Sequence, residues 1–334
     1  MKTLLHDIFR TLLPMMALLL SAAAAVSCDD SGNDGDTRQV NIAFTISLDP
    51  PSTRAANEGW DDYTPSTNGT ERENAINPDD IQVVVCNSMG ENLADVGDVR
   101  ITRRSDTEFA VTGVWRDSDS RLAKAKRIMV LANCHGSTEY DIMQTSSYLP
   151  MWGVAKLPAL NIGKTNDIGN IALLRAVAKV SVALRSDMLA KGYSIASLTV
   201  DRYNTRGYCM PAGYKSVDNT VDLSFAATLN VLNSTATSLD FTANSIAYIP
   251  EYDNTSPAAV PSTITVKLNR NGEYEGTYTL RFAQYDSGGA PTGNAYDIMR
   301  NHIYTYNVYK SGDEMAVTLH VKEWNVRKHD DVIM

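Results

Sequence analysis

From residue 40 the chain alternates. Val40, Ile42, Phe44, Ile46 and Leu48 are apolar, and Asn41, Ala43, Thr45 and Ser47 stand between them. That period of two puts five apolar side chains on one face of an extended backbone, which predicts a half-buried β-strand. Pro50-Pro51 end it, because proline cannot donate to a ladder. Small polar residues then carry a loop to Asp79, with a turn signal at Asn68-Gly69. Strand-like runs follow at Ile81–Cys86, Phe109–Trp115, Ile128–Asn133 and Ala178–Leu184. Ser118–Arg127 is polar and reads as a short helix. Ser147–Gly153 reads as an apolar turn, and Gly163–Gly169 as a loop. The second half predicts strands at Leu198–Tyr203, Ser245–Ile249, Thr263–Leu268, Tyr278–Phe282, Ile303–Val308 and Ala316–Val321. Asn271-Gly272, Gly288-Gly289, Asn301 and Ser311-Gly312 separate them. Many short strands with little helix predict an all-β protein built from sandwiches. Two of about 140 residues each fit the 334 residues of the chain. With a boundary near residue 172, an N-terminal β-sandwich domain spans 40–172 and a C-terminal one spans 173–334.

The first residues belong to neither domain. Lys2 and Arg10 flank a basic start, and Leu12–Val26 is apolar apart from Pro14 and Ser21. Ala25-Val26-Ser27-Cys28 follows. A charged start, an apolar run and small residues at a cut make residues 1–27 a secretory signal. The alternative is an uncleaved N-terminal anchor, for which the run is short against the roughly 20 residues of a membrane span. The small residues before Cys28 resemble a lipobox, in which the thiol is acylated and the cysteine becomes the new N-terminus. Several acyl chains anchor a protein stably to a membrane. Residues 28–39 are acidic near Asp29-Asp30 and rich in Gly and Ser, which predicts a flexible tether.

Charge and chemistry narrow the function. The net charge is -9, and a surface of that sign repels phosphate backbones, which excludes nucleic acid as a partner. Neither a Gly-rich phosphate loop nor a Gly-x-Ser-x-Gly or HExxH motif occurs. The carboxylate pairs Asp61-Asp62, Asp79-Asp80 and Asp330-Asp331 are sequence neighbours, which point apart on a strand. The five histidines are dispersed and the cysteines lack metal-ligand spacing. We therefore read the chain as a non-enzyme, with no catalytic residue, no metal and no cofactor. With Cys28 acylated, Cys86, Cys134 and Cys209 remain, an odd number that cannot all pair. Cys86 and Cys134 end apolar runs, and buried thiols are the expectation.

The residues resemble the fimbrillin (type V pilin) family of Bacteroides-type bacteria. The resemblance rests on Cys28, on Thr53-Arg54-Ala55 after the first strand, and on Ile81-Gln-Val-Val-Val-Cys86. It continues through Leu149-Pro-Met-Trp-Gly153, Leu174-Arg-Ala-Val-Ala-Lys-Val180, Tyr248-Ile-Pro-Glu251 and Arg300-Asn-His-Ile-Tyr304, and ends on a closing strand with Trp324. These run in order along nearly the whole mature chain. The resemblance implies two transthyretin-like β-sandwiches in tandem. It also implies export as an outer-membrane lipoprotein and cleavage by an Arg-specific protease between Arg54 and Ala55. Loss of the strand carrying Val40, Ile42, Phe44, Ile46 and Leu48 would open a groove, which a terminal strand of another subunit fills. The candidate donor carries Val317, Leu319, Val321, Trp324 and Val326. Its partners would be other fimbrial subunits, the outer membrane through Cys28, and a host or glycan ligand.

Plainer readings stand beside these. Val40–Leu48 can be a permanent first strand, Arg54 an ordinary loop residue, and the C-terminal strand a part of its own sandwich. Stalk, anchor and tip positions are all compatible with the sequence. A surface glycan-binding lipoprotein of a nutrient-uptake system is the alternative function, and a sandwich hydrolase a more distant one.

Overall fold

Strand β1 spans Thr37–Ser47 and buries Val40, Ile42, Phe44, Ile46 and, just past its end, Leu48. The computed structural model describes residues 37–48, 69–211, 229–312 and 314–324. The expected signal (1–27), Cys28, the tether up to residue 36, Arg54, Ala55 and Val326 lie outside the described residues.

After β1 come helix α1 (Glu71–Asn74), then β2 (Ile81–Cys86), β3 (Asn92–Asp95), β4 (Gly97–Arg103) and β5 (Glu108–Ser118). Helix α2 (Asp119–Lys124) leads to β6 (Arg127–Ala132), β7 (Glu139–Asp141), β8 (Met151–Lys156) and β9 (Thr165–Ala172). Next are β10 (Leu174–Arg175), β11 (Ala178–Leu184), helix α3 (Ser186–Ala190), β12 (Tyr193–Val200), β13 (Tyr203–Asn204) and β14 (Arg206–Tyr208). The remainder holds β15 (Thr235–Ala236), β16 (Leu239–Asp240), β17 (Ile246–Ile249), β18 (Thr263–Arg270) and β19 (Glu273–Arg281). It closes with β20 (Ala283–Tyr285), β21 (Pro291–Ala295), β22 (His302–Ser311) and β23 (Glu314–Glu323).

The larger sheets have the orders β4-β5-β1-β9, β10-β8-β6-β2-β3, β17-β11-β22-β23 and β16-β12-β18-β19. The first two share one apolar core, in which Val40, Phe44, Val111 and Trp115 join Val83, Val130 and Trp152. The other two share a second, in which Val180, Tyr304 and Tyr306 join Leu198, Val266 and Leu280. Sheets stacked on alternating inward faces make an all-β sandwich fold. Both cores lie within a single compact unit that begins at Thr37.

The structure departs from the sequence reading in three places. Gly163–Gly169, read as a loop, runs into β9, which pairs in parallel with β1. Its buried Asn166 spends its side-chain amide on the carbonyls of Asn41, Asn161 and Lys164. A strand held by such an anchor carries no period-two apolar signal. Ser147–Gly153, read as a turn, runs into β8. Gly153 is needed there because a Cβ would stand 2.3 Å from the Ala172 carbonyl oxygen and 2.7 Å from Leu173. The polar strands β3 and β4, which are edges of two different sheets, are missing from the sequence reading, since edge strands are polar by design against aggregation.

Candidate functional site

Two elements named from the sequence, β1 and β23, occupy opposite kinds of position. β1 is interior. It pairs antiparallel with β5 from Thr37↔Ser118 to Ser47↔Glu108, and parallel with β9 from Asn41↔Thr165 to Ser47↔Ala172. Its buried residues form one wall of the first core. Without it, β5 and β9 would both present unpaired backbone edges over an apolar trough.

β23 is the last strand of its sheet and pairs with β22 from Ser311↔Glu314 to His302↔Glu323. Its other side is met by the β20–β21 turn, where Val317 donates its N–H to the Gly289 carbonyl at 3.1 Å. Gly289 has φ +85, and a Cβ there would lie 2.5 Å from Ala316, so only glycine allows this approach. Of the candidate donor residues, Val317 is buried and Leu319 and Val321 are partly buried against the second core. Trp324 differs, because it packs into the first core.

The Trp324 ring is 5% exposed and sits in a cage of cations and an aromatic. The Arg175 guanidinium lies 4.4 Å from its centroid and Lys179 Nζ 5.4 Å. Tyr248 stacks on it at 6.1 Å and 16°. The Trp324 backbone N–H donates to the Asn301 carbonyl at 2.6 Å. Opposite charge comes from α1. Glu73 is fully buried and accepts from Lys179 Nζ at 2.6 Å and from the Tyr248 hydroxyl at 2.5 Å. It also closes a capping box, with its carboxylate on the Thr70 N–H and the Thr70 hydroxyl on its own N–H. Arg175 donates to the Glu73 carbonyl at 3.0 Å and to Asn74 Oδ1 at 2.5 Å. Burial lowers the Arg175 pKa to about 10, against the Glu73 charge that raises it, so the guanidinium stays protonated.

A second buried pair lies nearby in sequence. Arg300 donates from Nε and Nη2 to Glu251 Oε2 at 2.9 and 2.6 Å, and from Nη1 to the Cys209 carbonyl at 3.4 Å. Removing one member of such a pair is strongly destabilising, because a charge is left buried without its counterion.

The motifs that carried the resemblance thus converge. Arg175 and Lys179 come from Leu174–Val180, Tyr248 and Glu251 from Tyr248–Glu251, Arg300 and Asn301 from Arg300–Tyr304, and Trp324 from the closing strand. They join the two cores, and among the described residues no group of His, Cys, Asp and Glu suited to a metal ion occurs. Among the described residues no helix is long and apolar enough to cross a membrane.

A family model described as fimbrillin-A associated anchor proteins Mfa1 and Mfa2 matches residues 134–330. The chain belongs to this family. Among solved structures, the tip fimbrial protein Mfa3 of Porphyromonas gingivalis, truncated at its C-terminus, aligns with a TM-score of 0.52 at 13% identity. The alignment covers 86% of this chain and 100% of that one. A Bacteroides uniformis protein, provisionally assigned to cell adhesion, aligns with a TM-score of 0.47 at 10% identity, over 88% of this chain and 100% of its own. No curated protein sequence matches. The matched family is one of fimbrial anchor proteins and Mfa3 is a tip fimbrial protein; neither is an enzyme.

In this family member the residue that sequence reading missed is Glu73. Its signal was present, since Thr70-Glu-Arg-Glu73 has the spacing of a capping box. Burial pushes the Glu73 carboxyl up, but hydrogen bonds from Lys179 and Tyr248 together outweigh it and leave the pKa below the ordinary value. A lowered folded-state pKa stabilises fully above the unfolded value of about 4.3. That stability is lost as pH falls through the folded value. Glu73→Gln is therefore expected to lose about 2 kcal/mol at neutral pH. Urea unfolding of both proteins from neutral to strongly acidic pH should show the gap closing on acidification. A gap independent of pH would rule out this linkage.

Proposed function

We propose that the chain is a subunit of a surface fimbrium supporting adhesion, exported as a lipoprotein on Cys28 and joined to its neighbours by exchange of a strand. The observation that carries this reading is the interior placement of β1 between β5 and β9, with Val40, Ile42, Phe44, Ile46 and the following Leu48 buried in the first core. An element that completes a core from the chain's beginning, followed in sequence by Arg54-Ala55, is suited to removal and replacement by a strand of the same pattern. We take the chain as two sandwich domains, 40–172 and 173–334. The support is that β1 in one half and β11 in the other each lie parallel to a late strand of the same half, β9 and β22, while the short β10 just past the boundary still pairs with β8.

The buried Trp324 weighs on position in the fibre. A stalk subunit that donates Val317–Val326 must withdraw this ring from its cage, whereas a subunit at a fimbrial end keeps β23 in its own sheet. The matched family's description as anchor proteins agrees with the second arrangement. The test is the N-terminus and assembly state of the protein taken from the cell surface. A start at Ala55 on a chain that co-purifies with fimbriae, its groove filled by another subunit's strand, is expected; an acylated Cys28 on such a chain would mean that β1 is kept and that this chain receives no strand. A start at Ala55 in a ladder of polymers of this chain would move it to the stalk. An acylated monomer bound to no fimbria would overturn the fimbrial reading and favour a glycan-binding lipoprotein.

A further inference from the structure

Cys86, Cys134 and Cys209 are all buried thiols in this structure. Cys86 ends β2 and its thiol faces Asn92 Oδ1 at 3.7 Å across the hairpin with β3. Cys134 and Cys209 have a different relation, although they come from opposite sides of the residue-172 boundary. Cys134 follows β6 in a tight turn, where Asn133, His135 and Gly136 have φ of 61, 52 and 66. That turn is closed by the Ser137 N–H on the Cys134 carbonyl at 3.0 Å. The next residue, Thr138, accepts the Cys209 N–H at 2.8 Å. The β7–β14 ladder extends the pairing, with Tyr208 opposite Glu139 and Gly207 opposite Tyr140. The backbone thereby turns both cysteines into one apolar core. There the Cys134 thiol meets the Cys209 thiol as well as the carbonyls of Ala132 and Met151.

We propose that Cys134 and Cys209 form an intramolecular disulfide in the mature exported protein, with Cys86 left as a thiol. The inference rests on the export reading, because disulfides persist in the oxidising cell envelope. Two thiols lose two protons and two electrons and one S–S bond forms, while the disulfide of an envelope thiol–disulfide oxidoreductase is reduced to its dithiol. The bond forms during folding. Burial raises the Cys134 thiol pKa, and the Cys209 thiol beside it raises it further, so little reactive thiolate remains once the core has closed. The bridge closes a loop of about 75 residues, and long loops constrain the unfolded chain most. It also ties the end of β6 to the end of β14, beside the Arg300–Cys209 hydrogen bond.

The experiment compares two samples of the full chain, one refolded with oxidised glutathione and one taken from surface fractions of cells, each denatured in excess maleimide so that buried free thiols are trapped. Non-reducing peptide mapping is expected to find the Cys134–Cys209 linked peptide in both, with maleimide on Cys86. Reduction should lower the unfolding midpoint by more than 5 °C in the parent and in C86S, and by nothing in the C134S/C209S pair. Maleimide on both Cys134 and Cys209 in the refolded or the surface sample, or a bridge to Cys86, overturns the proposal. Protein found only in the cytoplasm overturns the export reading instead, while the refolded sample still tests the pair.

Discussion

A chain that begins at Ala55 is expected to fail as a monomer, and to recover when the first strand is supplied as a separate peptide of residues 37–48. Val40, Ile42, Phe44, Ile46 and Leu48 are each at most 4% exposed. At about 1.5–3 kcal/mol per buried side chain they contribute about 7–15 kcal/mol. That is an upper figure, because an unfolded chain already buries part of this surface. It still matches the whole stability of an ordinary domain, about 5–15 kcal/mol. Backbone pairing is lost on two sides at once, since β1 separates β5 from β9. Light scattering on the shortened chain should find aggregates or multimers, and an equimolar peptide should return a monomer with a cooperative melt. A peptide carrying Ile42→Asp and Ile46→Asp should not. A shortened chain that stays monomeric and melts within a few degrees of the parent would mean that the trough closes on itself, and strand exchange would lose its physical basis.

The features of β1 that matter were readable from the sequence because its environment is simple. One face meets a core, the other does not, and the alternation records both. β5, β11 and β22 were readable for the same reason, whereas β2 and β6 were readable as continuous apolar runs, buried over consecutive residues. β9 was not, because only Asn166 and Ile171 are buried along it, five residues apart, and its parallel partner is more than a hundred residues away in sequence. Sequence periodicity reports the neighbourhood of a strand only when apolar packing supplies it. The junction was half-readable. Arg175, Lys179, Tyr248, Glu251, Arg300 and Trp324 all lay in motifs singled out by resemblance, yet nothing in their spacing said that they meet. Their convergence comes from the crossing of strands that leave one core for the other. Glu73 shows the opposite case, a local signal whose meaning is not local. Its capping box identifies a four-residue helix, but its burial comes from Lys179 and Tyr248. Such a short helix is not stable by itself. Its docking is what lets Glu73 neutralise the cations around Trp324.

Trp324→Ala is the second substitution expected to have a large effect, a loss of about 3–5 kcal/mol. The ring lies one residue past the end of β23 and packs into the first core, while the strand's own side chains face the second. Alanine would leave a void there and uncover the buried Arg175 guanidinium. A desolvated cation–π contact alone contributes about 2 kcal/mol or more. Leu319→Ala is the control, because Leu319 is only partly buried on the same strand. If β23 is retained by its tip, W324A should cost clearly more than L319A in chemical unfolding. Hydrogen exchange should then accelerate selectively at the β22–β23 amides while the β1 amides keep their protection. This bears directly on assembly. A strand pinned at its end by another core cannot be donated until that contact opens, so the tip residue sets the free-energy cost of releasing the strand. A loss below about 1 kcal/mol with unchanged exchange would mean that the β22–β23 ladder alone retains the strand. The C-terminal segment would then be free to leave without disturbing the junction, and the end-of-fibre placement would lose its main support.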